Sequence, residues 1–342
     1  MMPQQNGDAG TLAWLSPTAA AKLLACPASV ENLPTGTKRP APPPSFPRNS
    51  GSLAHLAVQR WIASGAWRSD HDCATLVALF REEAEKNGIA VALLPDGRTT
   101  EARLEVQGPA LAESLAKFAG SLGTVEAEVS LYDDGEYLWG TIDLLVHNGQ
   151  EFAVLDLKTG EDAAGADIPE SIKHQLWQYA LLVSAERGTT PKMVSVFSLR
   201  RGLRPVDVED ADLIDLHKRL NSARQEWLSG ARNTYPSPDA CRFCPRRLRC
   251  EPHWSALKNW DNQDGVEGVV KRIDQAANGL AAVMLSTDKG IAWISEIPAL
   301  AAESLEVGKA SRAVRVRQMS HDEDSEQPAR WRATEQSSLS CF

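Results

Sequence analysis

Asp143, Asp156 and Lys158 are the residues whose types and spacing could do chemistry. Asp156 and Lys158 lie in the run VLDLKTG (154–160), whose apolar pattern predicts a strand that ends at a glycine turn. Residues i and i+2 of a strand point the same way, so this carboxylate and this ammonium meet side by side. Asp143 lies in GTIDLLV (140–146), predicted as the neighbouring strand across a short turn. Two carboxylates converging from adjacent strands repel, and a hard divalent cation removes the repulsion by taking oxygen ligands from both. Mg²⁺ or Mn²⁺ fits such a site. The ion would acidify a bound water and offset charge on a phosphate, while Lys158 beside it would hold the attacking water. That division of labour is phosphodiester hydrolysis. The competing reading is a plain salt bridge at a strand end.

A second constellation is made of thiols. CRFCPRRLRC (241–250) gives Cys241, Cys244 and Cys250 the spacing C-x2-C-x5-C, and Cys26 stands far upstream beside a proline. Three thiolates in one short loop repel unless a cation or cluster holds them. Zinc and a [4Fe-4S] cluster both take four cysteines, and spacing alone does not separate them. Zinc ribbons usually supply two C-x2-C knuckles, however, whereas here one ligand comes from far upstream. Arg242, Arg246, Arg247 and Arg249 make the same loop basic, suited to a phosphate backbone or to balancing four thiolates. Cys73 and Cys341 read as plain thiols.

The elements that must position these groups follow from periodicity. Residues 1–10 are polar and expected to be disordered. SPTAAAKLLACPASV (16–30) predicts a helix with Ser16 as N-cap and Pro17 at its first position. The proline-rich stretch PTGTKRPAPPPSFPRNS (34–50) predicts a loop, and SGSLAHLAVQRWIASG (50–65) a second helix carrying His55. CATLVALFREEAEKNG and GPALAESLAKFAGSLG extend the helical part to about residue 122. TVEAEVSLY, YLWGTIDLLVHN and EFAVLDLKTG then alternate with period two, separated by the turn sequences DDGE and NGQ, which predicts an antiparallel meander. ESIKHQLWQYALLVSAERG predicts a helix with Gln175 and Tyr179 on one face, KMVSVFSLRRG a fourth strand, and VEDADLIDLHKRLNSARQEWLSG a further helix. This order describes an α/β chain of the α+β type, a central mixed sheet flanked by helices. The predicted domain runs over 11–255, with a helical part (11–122), a sheet core (123–230) and a cysteine loop (236–255). Residues 256–342 are expected to form a helical extension, then a polar tail carrying HDEDSEQ.

With 342 residues and 43% apolar composition the chain can bury a sizeable core. No stretch approaches the roughly 18 uncharged apolar residues of a membrane span, and the start lacks a basic segment before an apolar one. A cytoplasmic protein without membrane contact is expected. The net charge of −9 argues against a generally polyanion-coated protein but leaves room for a local basic patch.

Taken in order, GSLAH, GTIDLLV, VLDLKTG and HQLWQYALLV resemble the RecB and Cas4 branch of the PD-(D/E)XK nuclease superfamily, over about residues 16–255. The resemblance implies a restriction-endonuclease-like core in which His55, Asp143, Asp156 and the backbone carbonyl of Leu157 ligate the metal. It makes Lys158 the catalytic lysine, with Gln175 and Tyr179 supporting the site and the DNA phosphate. Glu128, in VEAEVSL, occupies a place where such nucleases often keep an acidic residue. The one-plus-three cysteines resemble the iron-sulfur staple of Cas4-like and AddB-like nucleases, a structural [4Fe-4S] cluster that restrains more than 200 residues between Cys26 and Cys241. LSTDKGIAWISEIPALAAESLEVGK resembles the tail of uncharacterised phage and prophage proteins of this type, with a departure after Gly308. The expected function is a Mg²⁺- or Mn²⁺-dependent DNA nuclease, an exonuclease acting on ends or single strands. A recombination, replication or defence protein is the expected partner of the C-terminal extension. The alternative is a catalytically silent or zinc-stabilised nucleic-acid-binding module on the same fold.

Overall fold

The computed structural model describes residues 13–41, 49–160, 167–242, 244–319, 328–334 and 336–342. The expected disordered start and the HDEDSEQ run lie outside the described residues. The chain divides into two compact units, one of residues 1–24 and 30–231, the other of residues 25–29 and 232–342.

The first unit contains α1 (Pro17–Ala25, whose last residue groups with the second unit), α2 (Ser50–Ala63), α3 (Ala74–Lys86), α4 (Gly97–Ala119), β1 (Thr124–Asp133), β2 (Leu138–His147), β3 (Phe152–Lys158), α5 (Glu170–Arg187), β4 (Met193–Ser198), β5 (Gly202–Val206) and α6 (Asp210–Leu228). The five strands form one mixed sheet in sequence order. β1, β2 and β3 pair antiparallel because their connections are side-chain-stabilised turns. Asp133 Oδ1 accepts the amides of Gly135 and Glu136 at 3.0 Å each, and Asn148 Oδ1 accepts that of Glu151 at 3.0 Å. β3 and β4 pair parallel, which requires a crossover, and α5 supplies it. Alternation along β3 feeds two cores. Val154 joins the one shared with α1, α5 and α6, whereas Ala153, Leu155 and Leu157 join the one shared with α2, α3 and α4. Helices on both faces thus fix the sheet, as the α+β expectation requires.

Two elements differ from expectation. β5 was not predicted because Pro205 argues against a strand; it is tolerated here because β5 is at the sheet edge. α4 starts eleven residues before Gly108-Pro109, which is not its beginning. Gly108 allows α3's neighbour Cys73 to pack close, since a Cβ there would meet the Cys73 sulfur at 2.6 Å.

The second unit overturns the helical reading of residues 256–342. After α7 (Pro238–Arg242) and α8 (Glu251–Leu257) the chain forms β6 (Gly265–Gln275), β7 (Leu280–Thr287), β8 (Gly290–Pro298), the short α9 (Ala299–Ala302), β9 (Ala310–Val314), β10 (Arg317–Gln318), β11 (Ala329–Arg332) and β12 (Ser338–Cys341). Among the described residues these strands make one sheet in the order β10-β11-β8-β7-β6-β9-β12. The alternating burial of β7 and the tight turns at Gly279 (φ +80°) and Gly290 (φ +113°) are hairpin features. Alanine-rich stretches at 281–282 and 299–302 masked that pattern. The cysteine loop belongs to this unit and not to the sheet core as expected. Arg247 forms a two-pronged ion pair with Asp264, Arg312 grips Glu251 at 2.7 and 2.8 Å, and Trp254 and Leu257 pack on Val314.

Candidate active site

Three carboxylates form a row across β1, β2 and β3. Ala127 pairs with Leu144 and Val129 with Ile142, which sets Glu128 opposite Asp143. The β2–β3 ladder ends at Leu144–Leu155, which sets Asp143 opposite Asp156 one step beyond the last pair. Regular pairing breaks along this row. Glu128 has φ +55°, a left-handed conformation that costs a non-glycine residue energy and persists only where its surroundings over-determine it. Asp143 Oδ2 accepts the Leu157 amide at 2.7 Å, so a side chain stands in for a ladder partner. On its other side β3 stays paired to its end, Asp156, Leu157 and Lys158 lying beside Val196, Phe197 and Ser198 of β4.

α2 brings His55 to the row. Asn49 caps the helix by accepting the Ser52 amide at 2.9 Å, and Gly51 lets its first turn sit against the end of β3, where a Cβ would meet Thr159 Oγ1 at 2.5 Å. His55 Nδ1 then stands 3.5 Å from Asp143 Oδ1. One ligand atom each of His55, Glu128 and Asp143 lie within 4.8 Å of one another. Burial opposes the charged form of His55, but the hydrogen bond and charge of Asp143, with Asp156 and Glu128 behind, outweigh it and raise its pKa. Loss of solvent, then the Asp143 charge, raises that of Glu128.

From the other face α5 delivers Gln175 and Tyr179. Gln175 Nε2 donates to Asp156 Oδ1 at 3.1 Å and to Tyr179 Oη at 3.0 Å, while its Oε1 accepts from Lys158 Nζ at 3.1 Å. One amide therefore orients the acid, the lysine and the phenol. Asp156 is 1% exposed. Its Oδ2 lies 2.7 Å from Lys158 Nζ, off hydrogen-bond geometry, and is left without a hydrogen bond. Burial pushes the Asp156 carboxyl up to about 6, with the Lys158 ammonium pulling down and Asp143 pushing up. Burial, then Asp156 and Asp143, hold Tyr179 well above its ordinary range, so it remains a neutral phenol.

These groups fit a divalent cation. An orphaned carboxylate oxygen, two further acids and one imidazole converge, and mostly oxygen donors suit Mg²⁺ or Mn²⁺. The carboxylates repel without a positive charge among them, and Lys158 alone does not satisfy the row.

In the second unit, Tyr235 donates its amide to Cys26 Sγ at 3.4 Å, and Ala28 is tied to Asn233 O at 3.0 Å and by its carbonyl to Arg246 Nη1 at 2.8 Å. Cys26 and Cys250 both act on the charge of Cys244, so the distant cysteine does reach the loop. Burial pushes Cys241 up to about 11 and raises Cys244. Among the described residues no three of the four sulfurs lie within 4.8 Å of one another. Arg242, Arg246 and Arg249 are exposed, but Arg247 is 2% exposed and held by Asp264 and His253, which corrects its expected place among phosphate-contacting residues. A buried guanidinium already paired cannot meet a nucleic acid. Asp264 and His253, its partners, were not singled out in the sequence.

A family model described as the PD-(D/E)XK nuclease superfamily matches residues 14–251. The chain belongs to the PD-(D/E)XK nuclease superfamily. Membership carries phosphodiester cleavage of a nucleic-acid substrate with a divalent metal, and the mixed sheet flanked by helices agrees with the superfamily fold. No curated protein sequence matches the chain. Among solved structures, the tetrameric p202 HIN2 is 19% identical over 26% of this chain and 46% of its own, about half its length, with a TM-score of 0.20. A murine DNA-binding protein bound with double-stranded DNA is 10% identical over 64% and 94%, TM-score 0.22. SSO0001 is 16% identical over 58% and 84%, TM-score 0.26. Likeness at these scores carries no argument. No described helix is long and apolar enough to cross a membrane.

Proposed function

We propose that this superfamily member is a DNA nuclease of the RecB and Cas4 branch that digests from ends, with a structural [4Fe-4S] cluster on Cys26, Cys241, Cys244 and Cys250. The observation that carries the reading is the row Glu128–Asp143–Asp156 with His55 on one side and the Gln175-held Lys158 on the other. A structural salt bridge needs one acid for Lys158, not three acids and an orphaned oxygen. Asp143, Asp156, His55 and the Leu157 carbonyl would hold the ion, with Glu128 as a further ligand across the row. When bound, Mg²⁺ or Mn²⁺ lowers the pKa of water and neutralises phosphate charge. Lys158 orients the attacking water and offsets charge building on the phosphoryl oxygens. Gln175 keeps that ammonium in place, and Tyr179, a neutral phenol, can donate to a phosphate oxygen.

The width of the thiol group supports a cluster over zinc. Four thiolates at about 2.3 Å from one tetrahedral zinc stand about 3.8 Å apart, closer than these sulfurs come, whereas a four-iron cube spreads its ligands. Anaerobically purified protein should be brown, with iron and sulfide in proportion, and should degrade end-labelled linear DNA but not circular DNA when Mn²⁺ is present. Equal attack on the circle would remove the end requirement, and failure to cut either form would remove the nuclease reading.

A further inference from the structure

A cleft of about 830 Å³ opens in the first unit between α4 and the β4–β5 turn. Arg103, Val106 and Gln107 line it from α4, Leu199, Arg200 and Arg201 from the turn. Arg103, Val106 and Gln107 are three to four residues apart and so share one helix face. Val106 is 70% exposed, a bare apolar patch between guanidinium groups.

The turn is pinned to the active site. Lys158 pairs with Ser198 in the β3–β4 register, and the Leu199 amide donates to the Lys158 carbonyl at 2.9 Å. Arg200 N donates to Ser198 Oγ at 3.2 Å and Arg201 N to Ser198 O at 3.1 Å, and Gly202 at φ +72° completes the reversal. With strands about 4.8 Å apart and a rise of about 3.3 Å per residue, the Arg200 backbone lies within about 8 Å of that of Lys158. A guanidinium at that range reaches phosphates next to the scissile one, and its planar fork matches phosphate oxygens.

We propose that this cleft is a track for the flanking phosphates of the nucleic-acid strand being cut, with Arg103, Arg200 and Arg201 gripping the backbone and Val106 and Leu199 facing its sugars. The inference rests on the nuclease reading for the position of the cut, but the cleft's affinity is measurable without cleavage. Its arginines sit in a chain of net charge −9, where a local cluster of positive charge beside three acids needs an anionic occupant that the acids themselves would repel. A strand drawn along the cleft brings one phosphate to Lys158 and holds its neighbours.

The test uses the full chain in EDTA, so that nothing is cut, with a labelled single strand and its duplex. Binding is followed between about 50 and 200 mM salt. Relative to wild type, the triple variant Arg103→Ala/Arg200→Ala/Arg201→Ala should flatten the slope of log affinity against log salt by about 2 on the single strand or about 3 on the duplex, one step per lost phosphate contact. The Arg→Lys triple should keep most of the slope. With Mn²⁺ restored, the ratio of long-strand to dinucleotide cleavage should fall at least about tenfold, the fold-change for roughly 1.4 kcal/mol of lost binding. Should the triple fail to fold, Arg201→Glu alone, exposed on the turn, should flatten the slope by about 1 or more. An unchanged slope in the folded alanine triple, or in Arg201→Glu, overturns the cleft. A wild type that binds with the full slope but never cuts overturns the nuclease reading and leaves the cleft standing.

Discussion

The acidic row of the first unit and the cysteine loop of the second handle charge in opposite ways. In the row, Asp156 keeps an unsatisfied buried oxygen, Glu128 is held in a left-handed backbone, and three acids face one lysine. In the loop the arginines are matched: Arg247 has Asp264, and Arg312 has Glu251 and Glu267. The loop's thiols lie far above neutrality until a cluster displaces their protons. The difference teaches where each metal's free energy goes. A preformed row that is strained without its cation converts binding into chemistry, whereas a loop whose ligands must be deprotonated and gathered converts binding into fold stability.

The sharpest way to break this comparison is to remove one partner of the Asp156–Lys158 pair. Asp156→Ala should abolish both metal binding and cleavage, because the cation loses a central oxygen ligand. Lys158→Ala should still bind Mn²⁺ yet lose hydrolysis by roughly 10²- to 10⁴-fold, the scale of one positioned proton-transfer or charge-stabilising group. Metal titration by calorimetry and end-labelled DNA assays separate the two. Wild-type cleavage by Lys158→Ala in saturating Mn²⁺ would reduce the pair to a strand-end salt bridge, which contributes on the order of 0 to 1 kcal/mol where exposed.

The same contrast predicts the converse outcome for the loop. Cys26→Ser and Cys250→Ser should each lose iron and lower the melting temperature by a similar amount, since both ligands serve one cross-link. Iron analysis and thermal unfolding check this; full iron with an unchanged melting curve in either variant would remove the cluster. A smaller effect is expected at His55, whose contact with Asp143 is 3.5 Å. His55→Ala should raise the Mn²⁺ concentration giving half-maximal cleavage while leaving DNA binding in EDTA nearly intact. An unaltered Mn²⁺ dependence would make His55 a packing residue.

How much of this was legible follows from individual residues. The strands bearing Asp143 and Asp156 were readable because they alternate with period two, and the turn DDGE fixes more than was drawn from it. Counting outward from that turn places Glu128 and Asp143 at equal distance, hence opposite each other. His55 was not derivable from spacing, because the packing of α2 against Thr159 is a three-dimensional fact carried by Gly51. Arg247 looked like its exposed neighbours, since nothing in the local pattern points to Asp264 or His253. The sheet of the second unit was misread where alanines diluted the alternation of β7 and β8, and its turns at Gly279 and Gly290 were the available signal.

The finest test of the comparison is the pH dependence of stability, where the two regions should pull in opposite directions. In metal-free protein Asp156 has a folded pKa of about 6 against an ordinary value of 3.8. The folded state therefore binds more protons than the unfolded one between these values, and the sign of the linkage makes stability fall as pH rises through about 6. His253 is the reverse case. It is fully buried beside Arg247, and burial, then that guanidinium, hold its pKa down to about 4 against 6.5. Its stabilisation is complete above 6.5 and is lost as pH falls through about 4. Asp156→Asn should therefore remove the loss on raising pH, and His253→Gln the gain. Mn²⁺ should abolish the first effect by binding the ionised carboxylate and leave the second untouched. Denaturant unfolding of the three proteins from pH 4 to 7, with EDTA and with Mn²⁺, decides it. Identical pH profiles for wild type and Asp156→Asn in EDTA would show that burial of the carboxyl is not what readies the row for its cation.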